Sequence, residues 1–363
     1  MNNKMHQIPE NIAALTADWL TNLLQEHGHL RDSRITSFQL DRADLVSGFF
    51  GDIARINMAF EKENPSLPTT MLVKLPTQES GAYEIGLERG YYEREARFYT
   101  ELGQSCGIRV PECYAAAVSE NGQLSVLLLE DLSSYRLASL NSESADSDAL
   151  SVMTQLGVFH AKSWNDIAID AFTWLPGTNA GAERFKNDFG VAWNTLCERL
   201  SDGHFDYSPG EKVIEFIPKI KHLLEQNPRA FLHADLRDEN IFFDDRQNAV
   251  MIVVDWQHCR KGRGPFDVAT YMFGKVGDMN VEQEKRLVEE YYASLVISGV
   301  GNYSIADCVR DYYLAMVDRF VNVGSTLAKV SADSDGGKKA LEYLSRCRLS
   351  NFLRYSELLL SEL

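Results

Sequence analysis

The stretch that decides the fold is FLHADLRDENIFFDD, residues 231–245, in which polar side chains lie between apolar runs. His233, Asp235 and Asn240 fall within eight residues, and the run AVMIVVDWQ then leads to Asp255. The β-branched and aromatic residues of the two apolar runs predict two strands joined by the turn DDRQN. A hairpin of this kind brings Asn240, at the start of the first strand, close to Asp255, at the end of the second.

These four side chains predict a site for a hard cation and a hydroxyl group. Mg²⁺ prefers oxygen ligands, and Asn240 and Asp255 offer an amide and a carboxylate oxygen, with water and phosphate completing the shell. Asp235 lies on a loop where it can meet a substrate hydroxyl, and His233 packs behind it and orients that loop. The spacing H-x-D-x-x-x-x-N, followed by a strand that ends in Asp, is that of the kinase catalytic loop and its metal-binding aspartate. The alternative is a polar turn with an Asp helix cap.

Phosphoryl transfer of the kinase type also requires a lysine on an early strand and a glutamate on the next helix. Lys74 lies in the predicted strand TTMLVKLP, and the following helix, ERGYYEREARFYTELG, offers Glu93 and Glu95. At about 100° per residue, Glu95 falls within the apolar stripe of this helix and Glu93 on its polar face. The stripe consists of Tyr91, Phe98, Tyr99 and Leu102. Because a carboxylate on an apolar stripe needs a partner, we expect Glu95 to pair with Lys74, the alternative being a local arginine.

Two further segments are candidates for nucleotide binding. LVSGFFGDIARI, residues 45–56, places Gly48 and Gly51 between strands, where backbone amides can cover phosphates. The segment is not a full G-x-G-x-x-G, two glycines also occur in ordinary turns, and the chain has no Walker A motif. In LLLEDL we expect Glu130 and Leu132 to offer backbone donors and acceptors to adenine, and an ordinary buried strand end is the alternative.

Composition limits the classes of partner and compartment. The chain has 363 residues, a formal charge of −16 and 45% hydrophobic residues, which is typical of a globular protein with a substantial core. The negative charge argues against binding to nucleic acid or anionic membranes. The six cysteines form no C-x-x-C pair, and we expect reduced thiols in a cytoplasmic protein. No signal peptide or membrane helix is expected.

The order of predicted elements indicates an α+β fold in two lobes, a small β-rich one followed by a larger helical one. We expect a leading helix over 9–27, and then strands and one helix up to residue 130. The predicted N-terminal lobe is therefore 1–130, with the nucleotide-binding sheet, and the C-terminal lobe is 131–363, with the catalytic loop and substrate pocket. The last part of the C-terminal lobe is predicted to form three long helices, over 281–299, 304–330 and 336–361.

Together these motifs resemble the protein-kinase-like fold, and within it the aminoglycoside phosphotransferase and choline-kinase superfamily. HADLRDEN is similar to that group's catalytic loop and VVDWQ to its metal-binding motif, with the closest likeness to the ecdysteroid-kinase-like (CHK kinase-like) branch. The resemblance implies that Asp235 accepts or orients the substrate proton and that Asn240 and Asp255 bind Mg²⁺. It also implies that Lys74, paired with Glu95, contacts the α- and β-phosphates of ATP.

The resemblance assigns two more residues structural roles, and the departures from protein kinases narrow the substrate. Asp267, in GRGPFDVATYM, would brace the catalytic loop, and His160 would be a core histidine. Ala234 replaces the arginine of H-R-D, so an activation-loop phosphate has no arginine there to pair with. Only eleven residues separate Asp255 from Asp267, too few for a long activation segment. We therefore expect a small molecule with a hydroxyl group as the substrate, and no protein substrate.

The sequence thus predicts an ATP- and Mg²⁺-dependent enzyme that transfers the γ-phosphate to a hydroxyl of a small molecule. One alternative is a catalytically silent kinase-like protein that only binds small molecules. Another is a metal hydrolase that uses His233 and the aspartates, which would need further ligands at close spacing. The identity of the phosphate acceptor stays open at this point.

Overall fold

The computed structural model describes residues 7–41, 50–62, 67–138, 145–179, 181–200, 205–275 and 279–362. The chain forms two compact units, neither of which is continuous in sequence. Unit 1 consists of Met1–Ser105, Arg109–Arg136 and Phe242–His258, and unit 2 of Cys106–Ile108, Leu137–Ile241 and Cys259–Leu363. The sequence analysis placed a single boundary after residue 130, whereas the segment that ends in His258 belongs to unit 1.

Unit 1 is built on a five-stranded antiparallel sheet of order β1-β2-β3-β5-β4. Its strands are β1 (Ile35–Asp41), β2 (Gly51–Phe60), β3 (Thr70–Pro76), β4 (Cys113–Val118) and β5 (Ser125–Glu130). Alternation decides the faces: Ile56 and Val73 are fully buried, whereas Lys74 points to the opposite face from Val73. Leu20 and Leu24 of the first helix join the same hydrophobic cluster, so this helix covers the apolar face of the sheet.

The helices of unit 1 are shorter than the sequence predicted. They are α1 (Ala17–Glu26), α2 (Ser80–Glu88) and α3 (Tyr91–Arg97), the last continued by a π-helical turn, Phe98–Leu102. The leading helix does not span 9–27, because Thr16 caps α1 by accepting the Trp19 amide, and only a 3₁₀ turn precedes it. The next predicted helix, over 88–103, starts only at Tyr91, because Gly90 has φ of 65° and separates α3 from α2, a helix that was not predicted.

The predicted hairpin is confirmed. β8 (Ile241–Asp244) and β9 (Val250–Val253) are neighbours in a three-stranded sheet of order β6-β8-β9, where β6 is Arg136–Leu137. Asn248 lies in the left-handed region, with φ of 56°, as such a turn requires. Asn240 ends a 3₁₀ turn immediately before β8, and Asp255 follows β9 by two residues.

Unit 2 is mostly helical, with a short antiparallel ribbon of β7 (Ala230–Leu232) and β10 (Arg260–Gly262). Its helices are α4 (Ala145–Lys162), α5 (Ala182–Leu200), α6 (Ser208–Ile214), α7 (Ile217–Glu225), α8 (Pro265–Phe273), α9 (Val281–Ile297), α10 (Ile305–Gly324), α11 (Asp335–Leu344) and α12 (Arg346–Leu360). The expected α+β fold is confirmed. Helix α10 packs against α5, α7, α8 and α12 and forms the centre of this unit.

Two of the three predicted C-terminal helices differ from the prediction. The helix predicted over 304–330 becomes α10 and a 3₁₀ turn, Ser325–Ala328. The helix predicted over 336–361 is two helices, because Ser345 adopts φ of 43° and ends α11 before α12 begins. Within the described residues, no helix combines the length and the apolar character that a bilayer crossing requires.

The close contact between α4 and α9 generates a stability prediction. A Cβ atom on Gly157 of α4 would lie 2.5 Å from the Ser294 Cβ and 2.9 Å from the Leu295 backbone nitrogen on α9. We expect Gly157→Ala to lower the free energy of unfolding by about 1–3 kcal/mol, because the two helices must separate. Gly190→Ala in α5 is the matched control, since its nearest neighbour there is a methyl at 3.8 Å. That change should stabilise the helix by about 0.5–1 kcal/mol. Urea unfolding measures both, and equal effects would contradict the packing argument.

Candidate functional site

The loop that carries Asp235 is held by one buried carboxylate in unit 2. Asp267, on α8, is fully buried. Its Oδ2 accepts the His233 backbone N–H at 2.8 Å and its Oδ1 accepts the Ala234 N–H at 2.6 Å. Buried charges need donors of this kind, and two consecutive amides on one carboxylate fix the direction of the chain. The structure thus provides the contact that a bracing role for Asp267 requires.

The Asp267 carboxylate also accounts for the burial of the polar side chain of His160. This side chain is fully buried, and its Nε2 lies 3.1 Å from Asp267 Oδ2 while its Nδ1 lies 2.9 Å from the Tyr291 hydroxyl. With Nε2–H donating to the carboxylate, Nδ1 accepts from Tyr291. Burial raises the pKa of Tyr291 well above its ordinary value, which keeps the hydroxyl protonated as a donor. Both nitrogens of His160 therefore serve the core, as the resemblance implied.

The backbone turns sharply just before Asp235. Ala234 has φ of 65°, a left-handed conformation that is costly for a residue with a Cβ atom. Asp235 N–H donates to His233 Nδ1 at 3.2 Å, and Asn240 Nδ2 donates to the Asp235 carbonyl at 2.9 Å. The turn is thus closed on both sides by side chains of its own loop. Because Asn240 uses its NH₂ group here, its Oδ1 is the atom that can bind a cation.

Arg319 is a site residue that the sequence analysis missed. It lies on α10, and its Nη2 donates to Asp235 Oδ1 at 3.2 Å. Burial alone would lower the pKa of Arg319, but Tyr343 and Asp235 outweigh burial and hold it above its ordinary value, so the guanidinium stays charged. The helical spacing could have indicated that Arg319 faces the interior, because it follows Ala315 and Met316 by one turn and both of those residues are buried. The partner could not be read from that signal.

Unit 1 contributes a buried triad of charges. Lys74 Nζ on β3 lies 2.8 Å from Glu95 Oε2 on α3 and 2.6 Å from Asp255 Oδ1 after β9. All three side chains are less than one-fifth exposed. The structure therefore brings Glu95, and not the exposed Glu93, to Lys74. Asp255, which the sequence analysis assigned to a metal, also contacts this lysine directly.

The triad has a net negative charge, because two carboxylates surround one ammonium. Burial by itself would lower the pKa of Lys74, but the charges and hydrogen bonds of Asp255 and Glu95 outweigh burial and raise it above its ordinary value. Burial raises the pKa of Glu95, since it disfavours the carboxylate against the opposing attraction of Lys74. A cation that binds at Asp255 would compensate the excess negative charge.

Asp255 is held in place by the residues that follow it. Its φ of 67° is left-handed, and Gln257 Nε2 donates to its Oδ2 at 3.2 Å. The Trp256 indole stacks on Phe98 with ring centroids 4.1 Å apart, and its Nε1–H donates to the Val253 carbonyl at 2.9 Å. No role was predicted from the sequence for Trp256 or Gln257. Both are in fact supports of the carboxylate.

Four further residues were predicted to bind the nucleotide through their backbone: Gly48, Gly51, Glu130 and Leu132. Gly51 pairs with Pro76, and a Cβ atom there would lie 2.7 Å from Lys74 Cε, so a glycine lets the lysine side chain cross this strand. Gly48 lies outside the described residues. Glu130 N–H already donates to the Glu112 carbonyl at 2.8 Å. Leu132 is buried directly after β5. The nucleotide roles of these residues stay predictions.

The donor chemistry of the predicted metal ligands fits Mg²⁺. Asp255 offers carboxylate oxygens and Asn240 an amide oxygen, and Mg²⁺ is commonly bound by one or two carboxylates together with substrate phosphates. In the described part of the chain, no group of three or more His, Cys, Asp or Glu side chains is arranged to hold a metal by itself. Asn240 belongs to unit 2 and Asp255 to unit 1, so their predicted pairing stays a prediction.

The sequence also matches a known family over much of this region. Residues 69–293, more than half of the chain, match the sequence model of the phosphotransferase enzyme family, APH. The chain belongs to this family. No curated protein matches the sequence at a significant level. The expected affinity to the ecdysteroid-kinase-like branch of the wider superfamily stays a prediction.

Solved structures of other phosphotransferases share the fold. The Plasmodium vivax ethanolamine kinase has a TM-score of 0.54 at 15% identity, over 95% of this chain and 91% of that one. Macrolide 2'-phosphotransferase from Brachybacterium faecium has 0.53 at 13%, over 90% and 98%. Wild-type aminoglycoside 2'-phosphotransferase-IIIa, solved with GDP, has 0.52 at 14%, over 93% and 100%. At these identities the likeness shows the kinase-like fold alone.

The triad generates a pH-dependent stability prediction. Lys74→Met leaves Glu95 and Asp255 buried without their shared cation, and we expect a loss of about 3–5 kcal/mol near neutral pH. The loss of the ammonium raises the pKa of both carboxyl groups. A carboxyl group whose pKa is higher in the folded state penalises folding as pH rises, so the deficit should be largest near pH 8 and shrink toward about pH 5.

Chemical unfolding of wild type and variant across this pH range measures the effect. Glu93→Gln is the control, because Glu93 is exposed and pairs only loosely with Arg97, at 3.4 Å. It should change stability by less than about 1 kcal/mol. A deficit of Lys74→Met that does not depend on pH would mean that the two carboxylates are not ionised in the wild type.

Proposed function

We propose that this protein is an ATP- and Mg²⁺-dependent phosphotransferase that moves the γ-phosphate of ATP to a hydroxyl group of a small molecule. The observation that carries the proposal is the buried Lys74 ammonium, held between Glu95 and Asp255. A lysine fixed in this way presents a permanent positive charge for phosphate oxygens. Membership in the phosphotransferase enzyme family supports the same reaction class.

Each predicted residue has a role in this proposal. Lys74 would bind the α- and β-phosphates, and Gly51, with Gly48 before it, would bring backbone amides to them. Adenine would meet the Glu130 carbonyl and the backbone of Leu132, since the Glu130 N–H is already used. Asn240 and Asp255 would hold Mg²⁺, which supplies charge neutralisation at the phosphates.

Asp235 would orient the acceptor hydroxyl and receive its proton. The alcohol oxygen bonds to the γ-phosphorus, the bond from that phosphorus to the β–γ bridging oxygen breaks, and ADP leaves with the electron pair. The protein contributes mainly position and electrostatics, because this reaction leaves little covalent work to it. The Asp267 brace would hold the loop that carries Asp235 in one conformation. His233 would support this loop, since its Nδ1 accepts the Asp235 N–H.

Nucleotide-dependent stability tests the proposal. We expect ATP with Mg²⁺ to stabilise the wild type against unfolding, by about 2.7 kcal/mol at a hundredfold excess over the dissociation constant. ATP without Mg²⁺ should stabilise less. Asp255→Asn should reduce the Mg²⁺-dependent part, because a carboxylate ligand is lost. Asp245→Asn, an exposed residue of the same hairpin that pairs with Arg136, should behave as wild type.

A screen for ADP release with a panel of alcohols then separates the two remaining functions. Transfer to an alcohol supports the phosphotransferase. Binding of ATP and Mg²⁺ with no transfer to any alcohol supports the alternative, a silent kinase-like binding protein. A well-folded wild type that no nucleotide stabilises would refute the mechanism as written.

A further inference from the structure

Three cationic side chains converge on the loop that carries Asp235. Arg319 Nη2 lies 3.2 Å from Asp235 Oδ1, and Arg237 Nε lies 3.7 Å from Asp235 Oδ2. Lys275 Nζ lies 2.8 Å from Asp238 Oδ2 on the same loop. All of these residues belong to unit 2. Two of these cations therefore contact the Asp235 carboxylate itself, and the third contacts its neighbour Asp238.

The carboxylates of this loop are already paired with those cations. Asp235 and Asp238 have the contacts just described, and Glu239 Oε2 lies 3.9 Å from Arg237 Nε. The three cations and the three carboxylates of the loop balance one another, so an ammonium group of an acceptor would have to compete with cations that are already in place. The formal charge of −16 does not change this, because charges beyond about 8 Å are largely screened at physiological salt. In the described part of this loop, an ammonium group therefore finds only carboxylates that already have a cationic partner.

Arg319 has donor capacity that its partners do not use. A guanidinium carries five N–H donors. Arg319 donates to Asp235, and the Tyr343 hydroxyl is its second partner. Its Nε is buried and has no hydrogen-bond partner among the described residues. The side chain as a whole is 19% exposed. A charged, fork-shaped donor of this kind binds carboxylates and phosphates through two parallel hydrogen bonds.

We propose that the phosphate acceptor is a compact alcohol that carries a carboxylate or phosphate group, and that Arg319 binds this anionic group while the hydroxyl faces Asp235. The inference rests on the proposed phosphotransferase function and names its substrate class. Because the guanidinium contacts Asp235 directly, the hydroxyl and the anionic group of the acceptor are only a few bonds apart. Arg319 also separates the negative charge of the acceptor from that of Asp235.

Four alcohols with one three-carbon skeleton test the charge requirement: glycerol, glycerate, glycerol 3-phosphate and 3-amino-1,2-propanediol. Larger hydroxy acids, sugar phosphates and amino alcohols extend each class. ADP release in the presence of ATP and Mg²⁺ is measured for each. We expect transfer to acceptors with a carboxylate or a phosphate, and the two arms show which anion is preferred. Preference for the neutral or the amino compounds would overturn the proposal.

Variants at Arg319 test the assigned contact with the best anionic acceptor. We expect Arg319→Gln to raise KM for that acceptor roughly 10- to 100-fold, as expected for the loss of charged hydrogen bonds. Arg319→Lys should recover part of the affinity. Arg310→Gln is the matched control, because Arg310 lies on the same helix, is exposed and pairs with Asp307. A fall in kcat with unchanged KM in Arg319→Gln would instead make Arg319 a positioning residue for Asp235 and refute acceptor binding.

Nucleotide binding separates failure of this inference from failure of the proposed function. Stabilisation by ATP and Mg²⁺ should be equal in wild type and Arg319→Gln, because that readout needs no acceptor. A protein that ATP and Mg²⁺ stabilise but that rejects every anionic acceptor contradicts the substrate class and leaves the nucleotide site intact. A wild type that shows no nucleotide stabilisation contradicts both.

Discussion

The position of the loop that carries Asp235 depends on one buried carboxylate, because that carboxylate needs hydrogen-bond donors. Asp267 is excluded from water, and it obtains its hydrogen bonds from two consecutive backbone amides and from His160. These bonds hold the backbone at Ala234 in a left-handed conformation immediately before Asp235. Since His160 lies on α4 and its second partner, Tyr291, lies on α9, the same network ties three helices together. The core and the loop are therefore fixed by a single set of bonds.

In unit 1 a buried charge also needs partners, but there the central charge is positive. Here a buried ammonium is satisfied by carboxylates from a helix and from the segment after β9. The helix is held in turn by Phe98 against Trp256 and by Arg94, whose Nη1 donates to the Gln257 carbonyl at 2.9 Å. The lysine, the helix and the aspartate thus support one another, so a change at one of them disturbs the electrostatics of all three. In both units the polar side chains of the candidate site are anchored by long-range contacts as well as by the turns of their own loops.

The sequence contained the local part of this arrangement. Strand alternation placed Lys74 on one face, helical periodicity placed Glu95 on an apolar stripe, and the hairpin followed from two β-branched runs. Each of these patterns depends only on the spacing of residues within one strand, helix or hairpin. Asp267 was identified from its resemblance to a family motif, and its contacts agree with a bracing role.

The remainder could not be predicted because it depends on distant segments or on single backbone angles. Arg319 lies 84 positions from Asp235, and no periodicity specifies which of many polar groups a buried arginine meets. Ser345 divides a predicted helix through its positive φ value, and a serine gives little warning of such a break. The involvement of the Glu130 amide with Glu112 is a property of the folded sheet and its flanking chain.

The left-handed backbone at Ala234 and at Asp255 limits how far this protein could be stabilised by engineering. Each position costs about 1–2 kcal/mol relative to a relaxed residue. At Ala234 a glycine would relieve the strain and remove only a buried methyl group, so this cost is open to optimisation. At Asp255 the strained residue is itself the carboxylate that contacts Lys74. The strain at Asp255 is therefore a cost of the proposed activity. Selection for a more stable enzyme could remove this strain only by replacing the aspartate and losing the site.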